Sequence, residues 1–332
     1  MKLIVSLSPH IHSGDSVARR MWNVVIAMIP AMVIGFITFG MNAAWVMIVS
    51  VLTCLLTEWL INRYLFHRPL TLLNGSALIT GILLAFNLPS ILPLWMVAIG
   101  GVVAIGIGKM SFGGLGCNIW NPALVGRVFL LLSFPAAMTT WPTGIDSPYS
   151  TYTAASGASV AASQGDANTG ATILSYLNAN HDSLDNYDLL EMGIGDMNGS
   201  LGEVGGFAIL AGLLYLLLTR TVTWHIPVSM LGSAAFFSFV FGGNPILDIF
   251  AGGMLLGAAF MATDYVTSPM TLTGQLIFGG MIGLITIIIR RFGAYPEGVS
   301  FAILLMNSFV PLINRYCRPS IFGEKERRKV AA

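Results

Sequence analysis

The stretch NGSALITGILLAFNLP, from Asn74 to Pro89, closes a short apolar run on Asn87-Leu88-Pro89. A helix that crosses a bilayer needs about 20 mostly apolar residues, so this run reads as a half-helix or a re-entrant piece buried in a bundle. It also has an echo. Gly75 through Asn87 is followed by an apolar span, then Lys109 and Phe112-Gly113; Gly253 through Asp264 is followed by a span, then Arg290, Arg291 and Phe292-Gly293. The offset is roughly 180 residues, as expected for two copies of one folding unit. FLLLSFP after Val128 similarly resembles ILLMNSFVP after Ala302.

On either side of it, apolar runs between polar or Pro/Gly breaks mark about ten segments in all. They lie at Trp22–Gly40, Ala43–Asn62, Ser76–Leu88, Leu94–Lys109 and Pro122–Phe134, then at Glu203–Leu218, Trp224–Phe241, Leu247–Ala262, Gly274–Arg290 and Glu297–Ile313. The fold class expected is an all-α polytopic membrane protein: about ten transmembrane helices in two inverted five-helix repeats, with an extracytoplasmic loop between them. An odd number of spans per copy turns the second copy upside down. Residues 1–134 form the first repeat, 135–202 the loop, 203–316 the second repeat and 317–332 a basic tail.

Composition agrees. Of 332 residues, 55% are apolar and 9% charged, with mean hydropathy +0.78, against about 25% charged in soluble domains. Lys+Arg 16 against Asp+Glu 15 leaves no basic surplus for nucleic acid. Cys54, Cys117 and Cys317 are scattered and make neither a disulfide framework nor a metal site. The start, MKLIVSLSPHIHSGDS, does not read as a signal peptide, so insertion is expected from the first spanning helix. Lys2, Arg19, Arg20, Arg63, Arg68, Lys109, Arg220 and the tail from Arg315 fall on one side if spans alternate, which assigns that side, with both termini, to the cytoplasm. Arg290 and Arg291 fall on the other side, as inversion requires. The loop from Pro135 to Gly202 has no Lys or Arg and carries seven acids, Asp146 to Asp196, so it is placed outside.

That loop contains DANTGAT, Asp166 to Thr172. The pattern D-x-x-[ST]-G-A-T reads as an acceptor at which the phosphate of FMN is esterified to the Thr172 hydroxyl. Gly170 and Ala171 leave room for the incoming flavin and its transferase, and Asp166 and Thr169 complete the motif. The bland alternative is a threonine in a Ser/Gly/Ala linker. A near-duplicate ending at Ser159 has Thr153 where the motif needs Asp, and is read as a decoy.

With SPHIHS at Ser8, NGSALITGILLAFNLP at Asn74, FGGLGCNIWNPALVGRVFLLLSFP at Phe112, GSLGE at Gly199, MATDYVTSP at Met261 and YPEGVSFAILLMN at Tyr295, nearly the whole chain resembles the NqrB/RnfD family of integral membrane flavoprotein subunits. Such subunits belong to Rnf electron-transport complexes and to the sodium-pumping NADH:quinone oxidoreductase. Length favours the Rnf branch, because the other carries a longer N-terminal extension. Thr169 stands where the family more often has Ser. The resemblance implies electron flow between ferredoxin and NAD coupled to Na+ or H+ movement, in the cell inner membrane. It further implies covalent FMN at Thr172, a non-covalent riboflavin, an extracytoplasmic flavinyl transferase, and the other Rnf subunits as partners alongside membrane lipid.

Other residues carry two readings each. Asn118 and Asn121, beside Gly113, Gly114 and Gly116, can bond a flavin edge or start a helix. Arg127 either snorkels to the cytoplasmic surface or pairs with an acid or flavin. Asp264, at the negative end of a helix dipole, is a candidate for cation coupling or cofactor contact. Ser200 to Glu203 reads as a capping box on the sixth span, and Tyr295-Pro296-Glu297 as a helix start. Glu58 and Asp248 read as snorkelling or capping groups near span ends. His10, His12 and His67 lack metal-site spacing, and Gly106 to Met110 lacks the Walker pattern. The competing function is a channel or secondary transporter for a small polar solute, which an inverted repeat also serves.

Overall fold

The computed structural model describes residues 16–67, 72–142, 169–170, 193, 199–293 and 297–318. α1 (Val17–Leu60) begins at Ser16, whose hydroxyl accepts from the Arg19 amide at 3.2 Å, an N-cap. At about 1.5 Å per residue, its 44 residues would span twice the ~30 Å core of a bilayer if straight. They do not run straight. Gly40 has φ 66 and ψ −150, a conformation that glycine alone adopts at low cost, and the chain turns there. Met21 lines the same cavity as Lys109, and Lys109 is paired with Glu58, so both ends of α1 lie together and its limbs form a hairpin. These limbs are the first two apolar segments.

α2 (Ser76–Phe86) is the short helix that the opening stretch predicts; it follows Gly75, which is left-handed at φ 77. α3 (Leu94–Gly106) and α4 (Pro122–Ser133) complete the first half, α4 starting on an Asn121 cap with Pro122 at its first position. A one-turn α5 (Pro135–Met138) leads to β1 (Trp141–Pro142). β1 pairs antiparallel with β2 (Thr169–Gly170), Trp141 opposite Gly170 and Pro142 opposite Thr169. Of the acceptor motif, Asp166, Ala171 and Thr172 lie outside the described residues.

The second half contains α6 (Gly206–Leu218), α7 (His225–Val240), α8 (Pro245–Phe250), α9 (Met254–Leu256) with a π-helical continuation at Gly257–Met261, α10 (Leu272–Phe292) and α11 (Val299–Tyr316). Among the described residues four stretches are long and apolar enough to cross a membrane: Val17–Leu65, Leu94–Phe112, Leu272–Phe292 and Val299–Tyr316. The helices at Ser76–Phe86, Pro122–Ser133, Gly206–Leu218 and His225–Val240 are apolar but shorter. The surface is that of a protein solvated by lipid. Ile37 and Phe239 are each 73% exposed, while the polar Ser50, Ser238 and Thr286 are each fully buried.

Three segments differ from expectation. The sixth helix starts at Gly206, not Glu203: Ser200 to Val204 form a turn, within which the Glu203 carboxylate reaches back to the Ser200 amide at 3.5 Å. The segment Leu247–Ala262 is broken. Arg290 donates to the carbonyls of Asp248, Ala251 and Gly252, supplying the hydrogen bonds that a continuous helix would have made. The last helix starts at Val299 because Glu297 is drawn into an ion pair with Arg127.

α7 and α10 pack closely, with Ser229 and Ser233 against Gly279 and Gly283. A Cβ added at Gly283 would lie 2.5 Å from the Met230 carbonyl oxygen and 2.9 Å from the Ala234 nitrogen, backbone atoms that cannot rotate away. Gly283→Val is therefore expected to destabilise by about 1–3 kcal/mol through overpacking. Thermal unfolding of the detergent-solubilised protein checks this. Gly232→Val, whose added Cβ meets open space, serves as the control with little expected shift.

Candidate functional site

A cavity opens between the two halves. Its apolar wall includes Met21, Leu83, Leu115, Val222 and Phe260; its polar groups are Ser76, Thr80, Lys109, Asn118, Asn121, Thr263, Asp264 and Tyr265. Each comes from an interruption in regular structure: the start of α2, the end of α3, the glycine loop before α4, and the loop after the π turn. Interruptions are where a membrane protein can turn backbone and polar side chains toward a ligand, provided they stay inside the bundle.

Lys109 is buried and holds two contacts at once, Glu58 Oε2 at 2.7 Å and Ser76 Oγ at 2.7 Å. Glu58 is therefore no snorkelling group: at 2% exposure it is the counter-charge that allows a lysine inside the bundle. Asn118 donates to the Trp120 carbonyl at 3.1 Å. Asn121 is committed at both ends, its Oδ1 accepting from the Ala123 amide at 3.1 Å and its Nδ2 donating to the Met261 carbonyl at 3.2 Å. With its amide turned to match its neighbours, Asn307 accepts from the Asn121 backbone at 3.2 Å and donates to the Thr267 carbonyl at 3.1 Å. Asn121 thus ties α4 to the π turn and to α11.

Asp264, in the loop before α10, accepts from the Thr267 hydroxyl at 3.2 Å. Burial pushes its pKa up; the Thr267 hydroxyl, the backbone amides of Val266 and Tyr265, and the charge of Lys109 oppose that rise. Once Lys109 and Glu58 are paired, an ionised Asp264 leaves the cavity with one surplus negative charge among the described groups.

Arg127 is elsewhere. It is not a wall residue of the cavity, and it does not snorkel, being 5% exposed. It donates to Asn87 Oδ1 at 2.8 Å and Ser300 Oγ at 2.7 Å and forms an ion pair with Glu297. Asp248 is likewise internal, accepting from Ser238 and Arg291, the latter at 3.0 Å, and lying 3.7 Å from Arg290. The structure thus brings Asn118, Asn121 and Asp264 together and sets Arg127 apart. The Lys109–Glu58 pair is the element of the site that sequence reasoning missed. The available signal was two opposite charges, each at the same-side end of an apolar span.

A family model described as NQR2, RnfD, RnfE matches residues 4–323. The chain belongs to the NQR2, RnfD, RnfE family. Three relatives match along nearly their whole length. One is the D subunit of the proton-translocating ferredoxin:NAD(+) oxidoreductase complex of Clostridium ljungdahlii, 40% identical over 97% of this chain and 96% of the relative. Another is the D subunit of the Na(+)-translocating ferredoxin:NAD(+) oxidoreductase complex of Acetobacterium woodii, 41% identical over 100% of this chain and 98% of the relative. A third is the D subunit of the ion-translocating oxidoreductase complex of Stutzerimonas stutzeri, 39% identical over 95% and 94%.

In this NQR2, RnfD, RnfE protein, removing one partner of a buried pair strands the other charge. Lys109→Met should destabilise by about 3–5 kcal/mol, and Glu58→Gln in the same chain should recover part of that loss. Unfolding midpoints of the two variants measure the difference; equal midpoints for Lys109→Met and wild type would show the pair to be energetically idle.

Proposed function

We propose that this chain is the covalently flavinylated membrane subunit of an Rnf-type ferredoxin:NAD oxidoreductase complex in the cell inner membrane. It carries FMN on Thr172 and passes electrons in a chain coupled to Na+ or H+ translocation. The observation that carries this reading is the cavity at the junction of the two halves, in a chain about 40% identical over its full length to two subunits of such complexes. Two inverted five-helix repeats, with both termini cytoplasmic and the acceptor loop outside, remain the preferred architecture. In support, Gly75 and Gly253 are both left-handed residues opening short helices, and each is followed downstream by a buried cation paired with an acid, Lys109–Glu58 and Arg290–Asp248.

On this reading the cavity lining would hold part of a non-covalent riboflavin. The apolar surfaces of Leu83, Leu115, Val222 and Phe260 suit a planar ring system, and Thr80, Lys109, Asn118 and Asp264 set polar groups around it. When bound, a flavin supplies one- and two-electron chemistry; the protein supplies place, field and exclusion of water. Lys109 favours added negative charge in the cavity, while Asp264 opposes it until a proton or cation balances the site. That opposition is where electron arrival and ion movement can be linked. Asn121 and Asn307 hold the wall in register. Arg127 keeps the halves together rather than touching the flavin. Partners on this reading are the remaining Rnf subunits, lipid, and an extracytoplasmic flavinyl transferase.

Mass spectrometry of the peptide containing Thr172, from membranes of a host with its transferase, tests the covalent assignment. A mass increment of FMN is expected, and Thr172→Ala should abolish both the increment and electron transfer. An unmodified peptide, or an active Thr172→Ala variant, would favour a solute channel or transporter instead. Asp264→Asn is expected to lower cation-coupled turnover about tenfold, roughly the cost of one lost charge interaction of 1.4 kcal/mol, while the FMN on Thr172 stays in place. Unchanged ion dependence removes Asp264 from the coupling path.

A further inference from the structure

The cavity is wired to the far end of α2. Asn121, on the wall, bonds the Met261 carbonyl; Asn87 lies 3.9 Å from Met261 Sδ and donates to the Leu83 carbonyl at 2.6 Å, and Leu83 is itself a wall residue. Asn87 then accepts from Arg127, and Arg127 holds Ser300 in the first turn of α11 and Glu297 just before it. At about 1.5 Å per residue, Arg127 stands roughly 9 Å along α4 from Asn121. Every side chain in this chain of contacts is buried or nearly so, and it joins α2, α4, the π turn and α11 without a gap.

Glu297 is the one member with spare capacity. Its Oε1 is buried and has no hydrogen-bond partner among the described residues, a costly state for a carboxylate oxygen. The charges that face this region are Arg127, Glu203, Arg290, Arg291 and Asp248, together with Glu297 itself. Glu203 acts electrostatically on both Arg127 and Arg290. Three guanidinium groups and three carboxylates therefore balance, and the Glu203 charge still acts on Arg127 when Glu297 is neutralised. Release of one acid while another still acts on the cation would give the two discrete arrangements that coupling at a distance requires.

We propose that Glu297 is a charge-operated latch: a proton or Na+ at its unpartnered oxygen competes with Arg127, and the release of Arg127 frees Asn87 and loosens the α2 wall of the cavity. Every contact in the latch belongs to the protein itself, so it operates whether or not a flavin fills the cavity.

Hydrogen exchange read by mass spectrometry on the assembled complex tests it. At fixed pH, raising Na+ should speed exchange in peptides from α2 and the start of α4 by about fivefold or more, the lower end of ordinary coupling strengths. Lowering pH, after correction for intrinsic exchange, should do the same if the proton is the operator; whichever titration responds identifies the ion. Glu297→Gln should show the faster exchange from the outset and respond to neither ion, and Glu297→Asp should restore the response. Peptides of α7 and α10 should not change in any of these. A wild-type complex indifferent to both ions overturns the latch, and so does a Glu297→Gln variant whose exchange rises equally in α7 and α10. Should Glu297→Gln fail to assemble, the two wild-type titrations alone decide the question.

Discussion

A charge inside an apolar bundle must find its counter-charge within the protein, and two of the places where it does mark the helix interruptions of this structure. Lys109 with Glu58 stands at the beginning of α2; Arg290 with Asp248 stands at the break before α9. The two solve different problems. Lys109 sits at the N-terminal end of α2, where the helix dipole repels a cation, so the Glu58 carboxylate must outweigh both burial and dipole. Arg290 sits where a helix has ended and carbonyls are bare, so dipole and hydrogen bonding both favour it. One pair permits a cation beside a cavity. The other permits a helix to stop inside the bundle.

The division of charge between the two ends follows from this. Around Arg127 the described charges cancel, so the cluster needs no charge from outside to balance it. Around the cavity they do not cancel, because Asp264 has no cation of its own among the described residues. A surplus carboxylate facing a ligand space is tolerable only if something positive arrives there, and burial raises the cost of leaving it bare. The polar groups of the cavity thus face a space a ligand can enter, whereas Arg127, the most conspicuous charge in the apolar sequence of α4, serves to hold the halves together.

Much of this was legible in the residues. Spacing of apolar runs located the helices, and the brevity of Gly75 to Asn87 announced α2 as a half-helix. Asn121-Pro122 marked a helix start by ordinary capping chemistry, whereas the first helix begins five residues before the expected Trp22, on a Ser16 cap. What escaped was pairing across long separations. Glu58 and Lys109 are 2.7 Å apart in space but belong to different segments, and single-segment reasoning made Glu58 a snorkelling or capping group. The same blindness left Arg127 undecided between a surface cation and a paired one, and made Glu297 a helix-start residue. The break at Ala251 to Gly253 was also invisible locally, because the sequence there is apolar and small; it depends on a guanidinium brought in from α10.

Identity with subunits of complexes named for protons and for Na+ is nearly the same, 40% and 41% over essentially the whole chain. Overall likeness therefore does not encode the ion for which those complexes are named. On the coupling role proposed above for Asp264, its surroundings bear on the choice. A proton needs only the carboxylate and a path, and a raised pKa suits it. A dehydrated Na+ needs several oxygen ligands at once, as hard cations do. Near Asp264 the cavity offers the hydroxyls of Ser76, Thr80 and Thr263 and the amide oxygen of Asn118, but Thr80 already spends its proton on the Ser76 carbonyl and Ser76 accepts from Lys109. Hydroxyl oxygens keep lone pairs after such bonds, so they can still ligate a cation, whereas a hydroxyl replaced by a methyl cannot. On the proposed coupling role of Asp264, loss of the Thr80 hydroxyl would thus weaken a Na+ site and leave a proton site nearly untouched, so that oxygen count around one aspartate, rather than architecture, would set the choice of ion.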